Sequence, residues 1–283
     1  MTLITHATGP NGIRCPVAVF PDFEHMASYL ADRPTVGNDG YEPSLTRQAL
    51  ATGDPKLAAR AEHMLSTLED LDAVYSDDVM KWGRAIAGGS VDVPAYLAGS
   101  PMHMRRRTPQ EGLAPLTIVV ETYMSSGVSD EDRDRRSVAI LALIRKLAMT
   151  GHAVDLYLAH TSMREAATCL IRIENRPLDL VRAVWGFAAS FERRGFKMAS
   201  AQVLYNLRGY KSLQSPFGDA TFPNDPVKQT AYYMPILAPN SALLAIPSYC
   251  GRESSFGTDA STRKWLETNY QKATNLARQQ LAA

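Results

Sequence analysis

The sequence predicts an α/β protein: an open, mainly parallel sheet of about four to six strands with helices on both faces, behind a mostly helical N-terminal section. Three observations carry this. A β-branched run at 116–121 (LTIVVE) is followed by a long apolar helical stretch and a second strand-like run at 153–159 (AVDLYLA), the pattern of a βαβ unit. The alternation continues, with strand-like runs at 168–173 (TCLIRI) and 241–247 (SALLAIP) separated by helical stretches. Hydrophobic residues fill 45% of 283 positions and charged residues 21%, enough apolar side chain for a sizeable core.

Residues 1–113 read as the helical section and 114–283 as the α/β domain. Residues 15–20 (CPVAVF) suit a short strand closed by Pro21. Residues 55–71 place Leu57, Ala58, Ala61, Met64, Leu65 and Leu68 at helical spacing, and a second helix is expected over 77–87, stopped by Gly88 and Gly89. Residues 90–101, interrupted by Pro94 and Pro101, suggest an extended segment, and 102–109 (MHMRRRTP) a basic loop. In the second part Ser129 is the expected cap of a helix with Asp130, Glu131 and Asp132 in its first turn, running to Thr150 and ending at Gly151. Pro177 opens a helix to about Arg193, 198–204 suits a strand or a short helix, and 214–239 reads as a Pro-rich connection. Asp259 or Ser261 caps a last helix carrying Trp265, Leu266, Tyr270, Ala273 and Leu276.

Composition excludes several function classes. Thirty cations against 29 carboxylates give a net charge of +1, so the chain is not a uniformly basic wrapper. Cys15, Cys169 and Cys250 are scattered, without a CxxC pair, which argues against a disulfide scaffold or a cysteine zinc site and for a reducing compartment. No basic segment followed by an apolar stretch opens the chain, and the apolar run near 138–149 is interrupted by Arg145 and Lys146; neither a signal peptide nor a membrane helix is expected. Six histidines show no HExxH spacing. His160 reads as a loop histidine, and Asp155, inside a strand, needs a partner such as an arginine.

The first βα junction, Glu121 to Ser129 (ETYMSSGVS), has the composition of a binding loop beside a helix N-terminus. It carries neither GxxxxGK[ST] nor GxGxxG, and GxSxG is absent from the chain, so nucleoside triphosphate, dinucleotide and hydrolase-elbow readings lack support and no catalytic residue is assigned. The loop resembles, in degenerate form, the D-x-S-x-S metal-ion-dependent adhesion motif of von Willebrand factor A domains: Glu121 stands at the Asp position, Tyr123 at the first Ser and Ser125 at the second. That resemblance implies a Mg²⁺ site on Glu121 and Ser125, although the longer carboxylate and the tyrosine ring depart from the pattern. Together with 82–107 (WGRAIAGGSVDVPAYLAGSPMHMRRR), the strand and helix after it also resemble a protein family of tailed phages of the N4 type. The resemblance implies a viral accessory protein in the host cytoplasm. Its von Willebrand-like core would bind a protein partner through Glu121, Tyr123, Ser125 and Ser126.

A second reading rests on local charge. Arg105, Arg106 and Arg107 form one basic run, and Tyr205, Arg208, Tyr210 and Lys211 interleave rings with cations, with Tyr232 and Tyr233 as further aromatics. Single-stranded nucleic-acid binders use rings to stack bases and cations to follow phosphates. The bland alternative is a solvated face with local ion pairs, and for Arg133, Arg135 and Arg136, among Asp130 to Asp134, it is the expected one. A third alternative is a hydrolase or transferase whose site residues lie apart in sequence.

Overall fold

The computed structural model describes residues 3–8, 14–31, 80–85, 90–91, 93–109, 115–122, 128–150, 152–162, 167–173, 202–204, 226–237, 242–249 and 254–282, with 58, 59, 63, 124, 200, 206 and 207. The elements are β1 (Leu3–Thr8), β2 (Arg14–Phe20), α1 (Phe23–Ala31), β3 (Met80–Ala85), β4 (Ser90–Val91), α2 (Val93–Leu97), β5 (Met104–Pro109) and β6 (Leu116–Glu121). They continue with α3 (Asp130–Met149), β7 (Val154–Ser162), β8 (Ala167–Ile173), α4 (Pro226–Leu237), β9 (Ala242–Ile246) and α5 (Asp259–Ala282), a short 3-10 turn at Ser254–Phe256 preceding the last helix.

Six strands form one sheet in the order β1-β2-β8-β7-β6-β9, and β3-β5-β4 form a second. The class is α/β, but the large sheet is mixed. β6 runs parallel to β7 and β9, and β2 to β8, whereas β1–β2 and β7–β8 are antiparallel. Connection length explains the departure from a mainly parallel sheet. Only residues 163–166 join β7 to β8, and 9–13 join β1 to β2, whereas a parallel crossover needs about a dozen residues or more. The expected strand at 15–20 forms as β2, yet it pairs with β8, so the N-terminal strands belong to the sheet of the α/β unit.

Period-two alternation divides each strand between two layers. Leu116, Ile118 and Val120 of β6, Leu156 and Leu158 of β7, and Leu244 and Ile246 of β9 pack with α1, α3 and α5 in the larger core. Val119, Ala159, Leu170, Leu243 and Ala245 face the other way and meet Tyr232 and Tyr233 of α4. Strands buried on both sides read as unbroken apolar runs, which makes β6 and β9 legible. The α3 cap is as expected: Ser129 Oγ accepts from the Asp132 N–H at 3.2 Å. For α5 the cap is Thr258 rather than Asp259 or Ser261. Its Oγ1 accepts from the Ser261 N–H (3.2 Å), while Ser261 Oγ accepts from the Thr258 N–H (3.1 Å), a reciprocal box.

Four other expectations change. Residues 80–85, placed in a helix over 77–87, are strand β3, because pairing with β5 outweighs a weak helical pattern that contains Gly83. The basic loop at 102–109 is strand β5 from Met104 onward. Between them the extended segment holds the short helix α2. It ends in a Schellman turn, with Gly99 at φ 68 and the Ser100 and Gly99 N–H groups donating to Ala95 O and Tyr96 O. The connection over 214–239 contains α4, with Pro226 at its first position, where the missing N–H costs nothing. Of 198–204, the described residues are helical. The helices expected over 55–71, apart from 58, 59 and 63, and over 177–193 lie outside the described residues.

Candidate functional site

The carboxyl ends of β6, β7 and β9 lie side by side with the amino end of β8, and there the apolar layer under α4 gives way to a polar cluster. Glu121 is the last residue of β6. Alternation with Thr117 and Val119 turns it toward α4, and it is 1% exposed. Its Oε1 accepts from the Thr161 N–H (3.1 Å) and its Oε2 from the Tyr233 hydroxyl (2.7 Å).

The hydroxyls behind it have one consistent order. Tyr233 spends its single proton on Glu121, so Thr161 Oγ1 donates to Tyr233 (2.7 Å). Thr168 Oγ1 then donates to Thr161 (3.3 Å), which leaves Tyr232 to donate to Thr168 (2.8 Å). The chain Tyr232, Thr168, Thr161, Tyr233, Glu121 is thus polarised toward the carboxylate. Thr161 and Thr168 are direct cross-strand partners of the β7–β8 hairpin, and adjacent Tyr232 and Tyr233 stack edge to face at 5.2 Å.

On the other side of the strand ends stands Arg136. It is 1% exposed, and its Nη2 donates to Glu121 O (2.9 Å) and Pro247 O (3.0 Å). One guanidinium therefore ties the ends of β6 and β9. These neighbours form the topological switch point, since the chain leaves β6 for β7 on one side while β9 lies on the other. Arg136 Nη1 is buried with no hydrogen-bond partner among the described residues. Thr122 continues the lock, its N–H and Oγ1 both donating to Ala159 O at 2.8 and 3.0 Å. Beyond it, Met124 bridges to Tyr249, and Met124 and Val128 pack with Ala139, Tyr249 and Phe256. The loop that leaves β6 is fastened at both ends.

Electrostatics follow from burial. Desolvation pushes the Glu121 carboxyl up to about 7, against the opposing pull of the Tyr233 and Thr161 hydrogen bonds and the Arg136 charge. Burial lowers Arg136 to about 10, with Glu121 and Tyr249 acting the other way, so the guanidinium stays charged at neutral pH. Burial also raises Tyr232 to about 12 and Tyr233 well above the usual tyrosine range, so both phenols stay neutral donors.

The residues expected to form a partner-binding loop divide. Glu121 is internal and its carboxylate is engaged, so it supports the loop rather than touching a partner; Tyr123, Ser125 and Ser126 lie outside the described residues. Ser125, the second ligand of the expected Mg²⁺ site, is outside them too. Among the described residues no three His, Cys, Asp or Glu side chains converge as metal ligands. Of the basic–aromatic set, Arg105, Arg106 and Arg107 lie on β5, while Tyr205, Arg208, Tyr210 and Lys211 fall outside the described residues. Tyr232 and Tyr233 are buried at 6% and 1% exposure, which removes them from any stacking surface.

Arg136 corrects the solvated-face expectation for its cluster. Its neighbours do pair at the surface, Arg133 with Asp130 (2.7 Å) and Arg135 with Glu131, Asp132 and Asp259. Arg136 instead shares the buried stripe of α3 with Ala139 and Ile140, three and four residues on, and that spacing is the signal the sequence offers. His160 is not in a loop but in β7, buried against Ser200. Asp155 has its arginine: Arg172 meets it at 2.6 Å across the β7–β8 pair, both about half exposed.

The molecule is thus an α/β protein whose mixed sheet carries a buried carboxylate and a buried guanidinium at its switch point. It belongs to the family described as Domain of unknown function (DUF7192), which matches residues 18–245, from within β2 to within β9. No curated protein and no solved structure matches it. No helix among the described residues is long and apolar enough to cross a membrane.

Proposed function

We propose that the chain is a non-enzymatic accessory protein of phage type that binds a protein partner with the strand-end face of a von Willebrand factor A-like unit. The observation that carries the reading is the fastening of the β6–α3 loop. Arg136 ties its root to β9, Thr122 to β7, Met124 to Tyr249, and the Ser129 cap closes its far end. Anchoring the ends of a segment lowers the entropy that it loses on meeting a partner, which favours specific contact. Two features support the von Willebrand-like description: the order β8-β7-β6-β9, in which β6 lies between β7 and β9, and the long helix between β6 and β7. Glu121, at the position of that family's metal-binding aspartate, works here as an internal acceptor, so the partner contact is assigned to Tyr123, Ser125 and Ser126.

The test is affinity capture with the wild type and with Tyr123→Ala/Ser125→Ala, both checked for the same melting temperature. The double variant is expected to lose a partner that the wild type retains at high salt. An unchanged set of captured proteins retires the proposal.

A further inference from the structure

The large sheet ends in β1 on one side and β9 on the other, and the two edges differ. Every residue of β9 is buried. β1 pairs with β2, and its outer side carries no strand among the described residues. The register from Leu3↔Val19 to Thr8↔Arg14 runs residue by residue, so no bulge turns this edge away. Its sequence, LITHAT, holds neither a charged residue nor a proline. Bulges, charges and prolines are the devices that keep an edge strand from pairing with another chain, and β1 has none of them. Alternation divides its side chains. Ala7 packs on the α4 side with Val17 and Val19, whereas Ile4, opposite Ala18, is on the side that α1 covers at β2 and β8. There Ile4 is 49% exposed, and His6 and Thr8 are exposed with it.

We propose that β1 is the interface at which two copies of this chain join their large sheets edge to edge, by antiparallel strand pairing about a two-fold axis. Charge selects a second copy as the occupant. A two-fold sets the edge against its own sequence, so a charged strand would meet like charges, and LITHAT brings none. The whole chain is close to neutral, at +1, so no long-range repulsion holds two copies apart. An axis at His6 sets Ile4 against Thr8 of the second copy and Thr5 against its Ala7. Exposed residues then meet exposed ones, half-buried residues meet half-buried ones, and the two faces of the sheet continue across the junction. Ile and Thr are β-branched side chains that suit such cross-strand neighbours, and the backbone groups on the outer side of β1 gain partners. The interface shares no residue with the strand-end loop and does not rest on the function assigned to it.

The experiment is sedimentation velocity of the full chain over a roughly hundredfold range of concentration, which reads association by mass action. The wild type is expected to pass from monomer to dimer as concentration rises. His6→Lys, at an exposed position on the axis, should weaken the dimer about tenfold or more, because it sets two like charges together at the junction, and His6→Glu should do the same. An equal mixture of these two variants should recover the dimer, which chains that had lost their fold would not do. His6→Gln, which brings no charge, should associate as the wild type does. The proposal is overturned by a wild type that stays monomeric at the highest concentration, by a His6→Lys dimer as tight as that of the wild type, or by a mixture of the two charged variants that stays monomeric.

Discussion

Replacing Glu121 by glutamine should make the protein more stable at and above neutral pH, and by a calculable amount. The carboxyl titrates near 7 in the folded chain against an ordinary value of 4.5, and each decade is worth about 1.4 kcal/mol, so the gap is about 3 kcal/mol. The folded-state value is raised, so the folded protein holds the proton longer than the unfolded one. The stability tied to protonated Glu121 is complete below 4.5 and is lost as pH rises through about 7. Glutamine has nothing to ionise. It can keep every bond of the wild type: Oε1 accepts the Thr161 N–H, Nε2 donates to Tyr233, and the hydroxyl chain through Thr161 and Thr168 reverses direction, ending with Tyr232 accepting. The measurement is urea unfolding of both proteins at matched pH values from roughly 5 to 8. The difference in unfolding free energy should widen in favour of the variant by about 2–3 kcal/mol across that range. Two parallel curves would refute the reasoning, since they would mean that Glu121 is solvated or already ionised in the fold.

The other predictions concern the same frame and are read by the same unfolding measurements. Arg136→Met removes the donors to Glu121 O and Pro247 O and the charge that favours ionised Glu121; it should cost about 3 kcal/mol at pH 8, and a loss below about 1 would mean that the β6–β9 ends hold without it. Tyr233→Phe should cost about 2 kcal/mol, because Tyr233 bonds both Glu121 and Thr161; a loss below about 0.5 kcal/mol would mean that its hydroxyl is not part of the buried chain. Thr258→Ala removes the cap of α5 and should cost about 1 kcal/mol at every pH.

What can be read from sequence follows from what burial leaves visible along a chain. β6, β7, β8, β9 and α3 announce themselves because strands covered on both faces become apolar runs, and because the Ser129 cap and the acidic first turn mark a helix start. β3 and β5 do not, since short antiparallel strands without a continuous apolar face leave no periodic signal; Arg105 to Arg107 looks like a loop until its register with Trp82 and Arg84 is known. The strand-end cluster is half legible. Glu121 stands out as a carboxylate ending a buried strand, but Tyr232 and Tyr233 lie in α4, more than a hundred residues on, inside a Pro-rich stretch that reads as loop. Arg136 is hidden by its neighbours, as Arg133 and Arg135 do what an Arg–Asp cluster usually does.

The pairing of Glu121 with α4 also bears on how the two faces of the sheet differ. α3 and α5 are held mainly by a broad apolar contact. α4 brings a narrower one, and its tyrosines end in a polar chain whose terminal acceptor changes charge near neutrality. Ionised Glu121 accepts the Tyr233 proton strongly but bears the desolvation cost of a buried charge; protonated Glu121 escapes that cost and accepts more weakly. These effects oppose each other, and the raised pKa shows that desolvation is the larger. The buried Glu121 that Tyr233 of α4 meets is therefore costlier to the fold when ionised, even though the Tyr233 hydrogen bond is then the stronger one.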